Sequence, residues 1–345
     1  MMIFAVLLGC GRALAQEVYV LDEMTDSWIL TDSPKPGTPE AQLAAAAKLM
    51  AEGRYEDAER LAANWLTRNK RHPLVAEAHL IHGDALFAQR EYYQSLFDYE
   101  IVARDYYGTT AAIAANKKEL EIATLFANGM LMKQWGMRIF SAKEEAEELL
   151  ILVQERLPRS LLAETAAMEL ADMYYRGKQM KLANDMYLIF VENYPRSEHI
   201  DKAETRLIYT RLATYRGPAF DNSGLVDARE ELKRLEFTRP KLAITVESKA
   251  LITRIDESLG QKMLHTARWY IKIDKPIAAE YTVRRLVRQY QNTAASIEAL
   301  ETLVPQLLPK LPPIILAEID DFYTIHQEAL LGQVISPVVT LEEQQ

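Results

Sequence analysis

The sequence predicts an all-α protein built from five or six stacked helix pairs, and three observations carry that prediction. The phrase ERLPRSLLAETAAMEL at Glu155–Leu170 returns 37 residues later as ENYPRSEHIDKAETRL at Glu192–Leu207. A fixed period of that length marks an array that grows by stacking units. Apolar residues follow a helical period from Pro39 onward, and no stretch shows strand alternation bounded by turn residues. Finally, the 13 Gly and 14 Pro of the 345 residues are few and fall mostly at joints.

The chain opens with MMIFAVLLGCGRALAQE. Its apolar run and the small-residue site Ala13-Leu14-Ala15 form the pattern of a secretory signal over residues 1–15, too short to span a bilayer as a folded helix. Two processing sites compete. One is a cut after Ala15, and the other is a lipoprotein cut before Cys10, which follows Leu7-Leu8-Gly9. Cys10 is the only cysteine, so it is the lipidation candidate and no internal disulfide is expected. A basic segment ahead of the apolar run is missing, which points to a true start upstream of Met1. Residues 16–40 carry Pro34, Pro36 and Pro39 around Gly37 without sustained periodicity and read as an extended linker.

The helical array is expected over residues 41–308. In each copy of the recurring phrase a Pro lacking a backbone donor closes one helix, and Ser160 or Ser197 is placed to cap or precede the next. Tyr55 and Ala58, Tyr92 and Ser95, Met180 and Ala183, and Pro276 and Ala279 recur at one offset. Small residues such as Gly83, Ala171 and Ala267 let paired helices approach, while Tyr174, Tyr187, Phe190, Tyr270 and Leu286 fill the layer between pairs. Two inserts, around Gly129–Ala146 and Tyr215–Leu232, are expected between helices. Over residues 309–345, Pro309, Pro312 and Pro313 break the array, a segment from Ile314 to Leu331 is expected to cap its end, and a tail follows.

Small residue, Tyr, turn, Ala, aromatic and Pro at these offsets is the tetratricopeptide pattern, so the fold class is a tetratricopeptide-like helical-pair solenoid, right-handed as such arrays are. The phrases VENYPRSEHIDKA, RGPAFDNSGLVDAREELKRL and IDESLGQKMLHTARWYIKIDKPIAAEYTVRRLVRQYQNT go further. With them the chain resembles the BamD-like outer-membrane assembly lipoproteins over Gln42–Thr293. The resemblance implies a helical scaffold on the periplasmic face of the outer membrane, which docks on a β-barrel insertase and meets unfolded outer-membrane segments. In that family an acidic-basic-Leu-Ala run lies where the partner docks. Here the run reads Glu257-Ser258-Leu259-Gly260, without the basic residue.

Composition excludes other classes. A net charge of −9 with no long Lys/Arg run lacks the electrostatic footprint of a nucleic-acid binder. No glycine-rich phosphate loop, G-x-S-x-G elbow or internal Cys nucleophile occurs, so no enzyme, cofactor or small-molecule substrate is expected. His79 and His82 share a helix face near Asp84 but lack a third ligand at metal spacing, and they read as a groove or surface pair. The partners expected are proteins, with peripheral membrane association through lipid at Cys10.

The offsets of the tetratricopeptide family imply that Leu80, Asp84 and Phe87 of the second copy, and Met168, Asp172 and Tyr175 of the fourth, face a concave groove; the alternative is that they only pack the array. Apolar groups with an interleaved carboxylate suit a peptide. A partner-docking region is expected at Glu257 and Ser258 and on the basic face of Arg284, Arg285 and Arg288. The alternative for these arginines is that they balance neighbouring Glu residues. A different exported tetratricopeptide adaptor, serving cell-envelope or cell-division proteins, is the competing function.

Overall fold

The computed structural model describes residues 18–22, 27–31, 35, 37–134, 137–332 and 334. Cys10 and the Ala13-Leu14-Ala15 site therefore lie outside the described residues, as does nearly all of the tail. The fold is all-α and of the tetratricopeptide-like helical-pair solenoid class, with successive helices packed in pairs. The chain divides into two compact units, residues 1–169 and 170–345.

The first unit begins with β1 (Val18–Asp22) and β2 (Ser27–Thr31), an antiparallel hairpin that pairs Val18 with Thr31 and Asp22 with Ser27. This departs from the expected extended linker. VYVLD and SWILT are short runs of strand-favouring residues, and backbone pairing joins them. Then follow α1 (Pro39–Ala51), α2 (Tyr55–Arg68), α3 (Val75–Ala88), α4 (Tyr92–Asp105) and α5 (Thr110–Ala127). A second hairpin, β3 (Leu131–Gln134) with β4 (Met137–Ser141), precedes α6 (Lys143–Arg156) and α7 (Leu161–Arg176), inside which the division falls. The first insert is thus a strand pair, which its bulge between Met132 and Lys133 disguised from a period-2 reading.

The repeat offsets become packing. Ala58 and Ser95 are fully buried, as are Ala183 and Ala279 of the second unit. Gly83 lies so close to α4 that an added Cβ would stand 2.9 Å from Tyr99 Cε1, so any side chain there would force Tyr99 to shift. Trp65 is buried among Leu43, Val75 and Ala78, and its indole N–H donates to Pro39 O at 2.7 Å, joining α2 to the first turn of α1. α6 stops at Arg156, just before Leu157-Pro158, and Ser160 Oγ accepts from Ala163 N at 3.1 Å to cap α7. The turns of three helix pairs hold a non-glycine residue in the left-handed region: Arg90 (φ 63°), Lys178 (φ 58°) and Asp274 (φ 55°). In the α1–α2 turn Gly53 takes that conformation (φ 75°) without the Cβ penalty.

The second unit continues with α8 (Met180–Asn193), α9 (Ile200–Thr214), α10 (Ser223–Thr238), α11 (Pro240–Thr245), α12 (Ser248–Lys272) and α13 (Pro276–Gln289). The short α14 (Ala294–Glu298), a π-helical segment at Ala299–Leu303, α15 (Val304–Leu307) and a 3₁₀ turn at Leu308–Lys310 lead to α16 (Pro313–Leu331). Ser197 lies ahead of α9 rather than at its cap, and its Oγ accepts from His199 N at 2.9 Å. The second insert is only partly a connection. Residues 215–222 are loop, but from Ser223 the chain is α10, whose Leu225, Ala228, Leu232 and Leu235 pack on Ile255 and Leu259 of α12. That apolar spacing is helical, and the Gly and Pro before it masked where it began. On α16, Ile319 and Tyr323 enter one cluster with Val283 and Leu286 of α13, and Gly332 ends the helix at φ 69°.

Candidate functional site

In the first unit the groove candidates lie on α3, beside α5. Leu80, Asp84 and Phe87 are all half-buried. Asp84 Oδ1 accepts the Tyr99 hydroxyl at 2.7 Å, and burial beside this carboxylate pushes the Tyr99 phenol far above its usual range. Phe87 meets Tyr92 edge to face, with centroids 5.1 Å apart, and Lys118 of α5 sets its ammonium 4.3 Å from the Phe87 ring centre. Lys118 also donates to Glu121 Oε2 at 3.2 Å. Lys118 was not among the sequence candidates; its signal was a Lys pair in an otherwise Ala-rich helix.

The second unit repeats most of this arrangement at a constant spacing of 88 residues, Asp84 to Asp172, Phe87 to Tyr175, Tyr99 to Tyr187 and Lys118 to Arg206, and Leu80 returns at the same spacing as Met168, just before the division. The outcome differs. Met168 and Asp172 are buried, so they do not line an open face. Asp172 Oδ1 accepts from the Tyr187 hydroxyl at 2.5 Å and from Arg206, while Asp172 Oδ2 accepts from Lys202 Nζ at 2.5 Å. Arg206 also lies 5.0 Å from the half-buried Tyr175 ring. Asp172 is therefore saturated by its own unit, and its role there is to join α7, α8 and α9.

The two histidines on α3 are held by one residue. The Nδ1–H groups of His79 and His82 each donate to Asp98 of α4 at 2.7 Å, one to either oxygen. The hydrogen bond that His82 donates to Asp98 raises the His82 pKa against the opposing effect of burial. Burial pushes the Asp98 carboxyl upward, but the two imidazoles outweigh it and leave its pKa lowered. No group of three or more His, Cys, Asp or Glu side chains among the described residues is placed to hold a metal ion.

The docking candidates are distributed differently from the expectation. Glu257 accepts from Gln261 Nε2 at 3.0 Å and, through Oε2, from Ala294 N at 2.7 Å, so it caps α14. Ser258 Oγ donates to Arg254 O at 3.0 Å. Leu259 and Gly260 are buried, and a Cβ on Gly260 would stand 3.1 Å from both Ala295 Cβ and Thr293 Oγ1. The basic face of α13 is split. Arg284 Nε lies 3.1 Å from Glu280 Oε1 and its Nη1 lies 3.0 Å from Glu318 Oε1, so this arginine balances carboxylates of α13 and α16. Arg285 is exposed, with Nε 3.3 Å from Gln289 Oε1, and exposed Arg288 holds its guanidinium 5.1 Å from the Phe322 ring centre. A groove of about 670 Å³ opens beside Arg284, lined by Lys275, Ile277, Tyr281, Lys310 and Ile315. Ile277 and Tyr281 are exposed within it.

Among the described residues, no helix is long and apolar enough to cross a membrane. A comparison with curated proteins finds no match. A family model does match, that of YfiO, described as outer membrane lipoprotein, over residues 141–306. The repeats of α1–α5 lie outside that match although the resemblance read from the sequence began at Gln42. Residues 141–306, which include helices α6 to α14, are therefore similar to an outer membrane lipoprotein family, in agreement with the BamD-like resemblance of the sequence phrases.

Proposed function

We propose that this chain is a non-enzymatic scaffold of the outer-membrane β-barrel assembly machinery. It works on the periplasmic face of the outer membrane and binds a barrel insertase and unfolded outer-membrane segments. The match of residues 141–306 to an outer membrane lipoprotein family carries this reading. The fold supports it, because paired helices leave a lined groove on which a peptide can lie. The half-buried Leu80, Asp84 and Phe87 serve the incoming segment, and the exposed Arg285 and Arg288 face the fixed partner. Lipid on Cys10, or a cut after Ala15, completes export.

A second reading, an exported tetratricopeptide adaptor for other cell-envelope or cell-division proteins, is favoured by one observation. Glu257, Ser258, Leu259 and Gly260, the run at which the sequence resemblance implies a partner contact, are engaged in the packing and capping of their own unit. Retention of the barrel insertase on the immobilised chain, from detergent-solubilised envelopes, separates the two. In the same assay Phe87→Ala is expected to weaken capture of unfolded outer-membrane segments alone, and R285E with R288E to weaken insertase retention alone. An insertase that is never retained sinks the first reading. Mass spectrometry of the exported protein is expected to show Gln16 as the first residue or a diacylated Cys10.

A further inference from the structure

The duplicated Asp–Tyr–aromatic arrangement is complete in one unit and incomplete in the other. In the second unit Asp172 Oδ1 holds Tyr187 and Asp172 Oδ2 holds the Lys202 ammonium. In the first unit Asp84 Oδ1 holds Tyr99 in the same way, but Asp84 Oδ2 has no hydrogen-bond or ion-pair partner among the described residues. The reason lies in the sequence. The position equivalent to Lys202 is Ala114, exposed on α5, and the equivalent of Arg206 is Lys118, whose ammonium is engaged by Glu121 and the Phe87 ring. A half-buried carboxylate, held in place by a tyrosine and flanked by an aromatic ring, thus stands where an ammonium is missing.

We infer that Asp84 Oδ2 is a subsite for a basic side chain, Lys or Arg, of a peptide lying along α3 and α5. The second unit shows the required chemistry within the same chain. There a cation from the next helix completes the carboxylate, and a guanidinium lies over the aromatic ring of Tyr175. The incoming ammonium takes the place that Lys202 takes at Asp172, and the small Ala114 leaves it room. Lys118 does not fill that place, since its Nζ makes no ion pair with Asp84. With Asp84 and Glu121 against Lys118, the charge around the subsite favours one further cation. The peptide therefore carries a basic residue among apolar ones, the latter meeting Leu80 and Phe87. This specificity rests on the proposed reading of the α3–α5 face as a peptide groove.

Two measurements on the full chain test it. The first needs no peptide. Ala114→Lys installs the missing ammonium in cis and is expected to raise Tm by about 2 °C, a gain that disappears when combined with Asp84→Asn. An Ala114→Lys effect that is independent of Asp84 overturns the subsite. The second uses a synthetic peptide of alternating apolar and polar residues with one central Lys, and the same peptide with norleucine at that position. The Lys peptide is expected to bind about tenfold tighter, and Asp84→Asn and Ala114→Lys are each expected to abolish that preference. Equal binding of the two peptides overturns the cation subsite but keeps the groove; binding of neither overturns both.

Discussion

Arg156 of α6 sets Nη1 2.9 Å from Glu119 Oε2 of α5 and Nη2 2.5 Å from Glu100 Oε2 of α4, joining three helices through one guanidinium. Glu119 is fully buried, and its other oxygen, Oε1, has no hydrogen-bond partner among the described residues. Burial raises the Glu119 pKa to about 7, even though Arg156 pulls it down. A pKa raised above the unfolded value means that stability is fully present below about 4.5 and is lost as pH rises through about 7. Glu119→Gln is expected to flatten this loss, which is on the order of 2 kcal/mol between pH 5 and pH 8. Urea unfolding of both proteins at the two pH values checks it; parallel pH profiles would show that Glu119 does not titrate in this range.

Asp98 bridges two imidazoles, and its removal has a different signature. The His82 pKa is raised, so the stability from this pair is complete below about 6.5 and is lost as pH rises through the raised value. The lowered Asp98 pKa closes the window from the other side, as pH falls below about 3.8. Asp98→Asn is expected to cost about 1–2 kcal/mol at pH 6 and clearly less at pH 9. Thermal unfolding at the two pH values, with the histidine titrations followed by NMR, reads both halves of the claim.

Arg284 and its neighbours separate by role. Glu280 is buried and depends on Arg284 and on the Tyr323 hydroxyl, 3.2 Å away. Burial raises the Glu280 pKa, partly offset by Arg284. Arg284→Ala is expected to destabilise the chain by about 2–4 kcal/mol by leaving a buried carboxylate without its cation. The double reversal R285E/R288E is expected to stay within about 0.5 kcal/mol of wild type. Denaturant midpoints compare them directly, and equal losses would mean that α16 is not anchored through Arg284.

Gly83 tests the close approach of α3 and α4. Gly83→Ala adds a methyl group that would stand 2.9 Å from a Tyr99 carbon, so it is expected to cost about 1–3 kcal/mol, although Ala is the better helix former. The hydroxyl of Tyr99 would also shift from Asp84. A stabilised variant, read by thermal unfolding, would show that the contact relaxes without strain.

The sequence by itself determined the fold class, the helix-pair joints and the buried small positions. Helical period, proline placement and Ala or Gly spacing act locally, so Pro158 and Pro195 end their helices wherever the array goes. The family resemblance was legible for the same reason, in contiguous phrases. The strand pairs were not, because hairpins of four- and five-residue strands carry too few alternating positions to outweigh their surroundings. The tertiary structure alone decided which charged residues remain available. Asp84 and Asp172 occupy equivalent positions, yet one keeps an open oxygen and the other is saturated, because Lys202 and Arg206 reach Asp172 from a helix beyond the pair. Arg284 and Arg285 are adjacent, yet the first is neutralised by Glu318, 34 residues away, and the second stays exposed. A residue's type and helix face are local properties; the charge it meets across an interface is set only when distant helices pack.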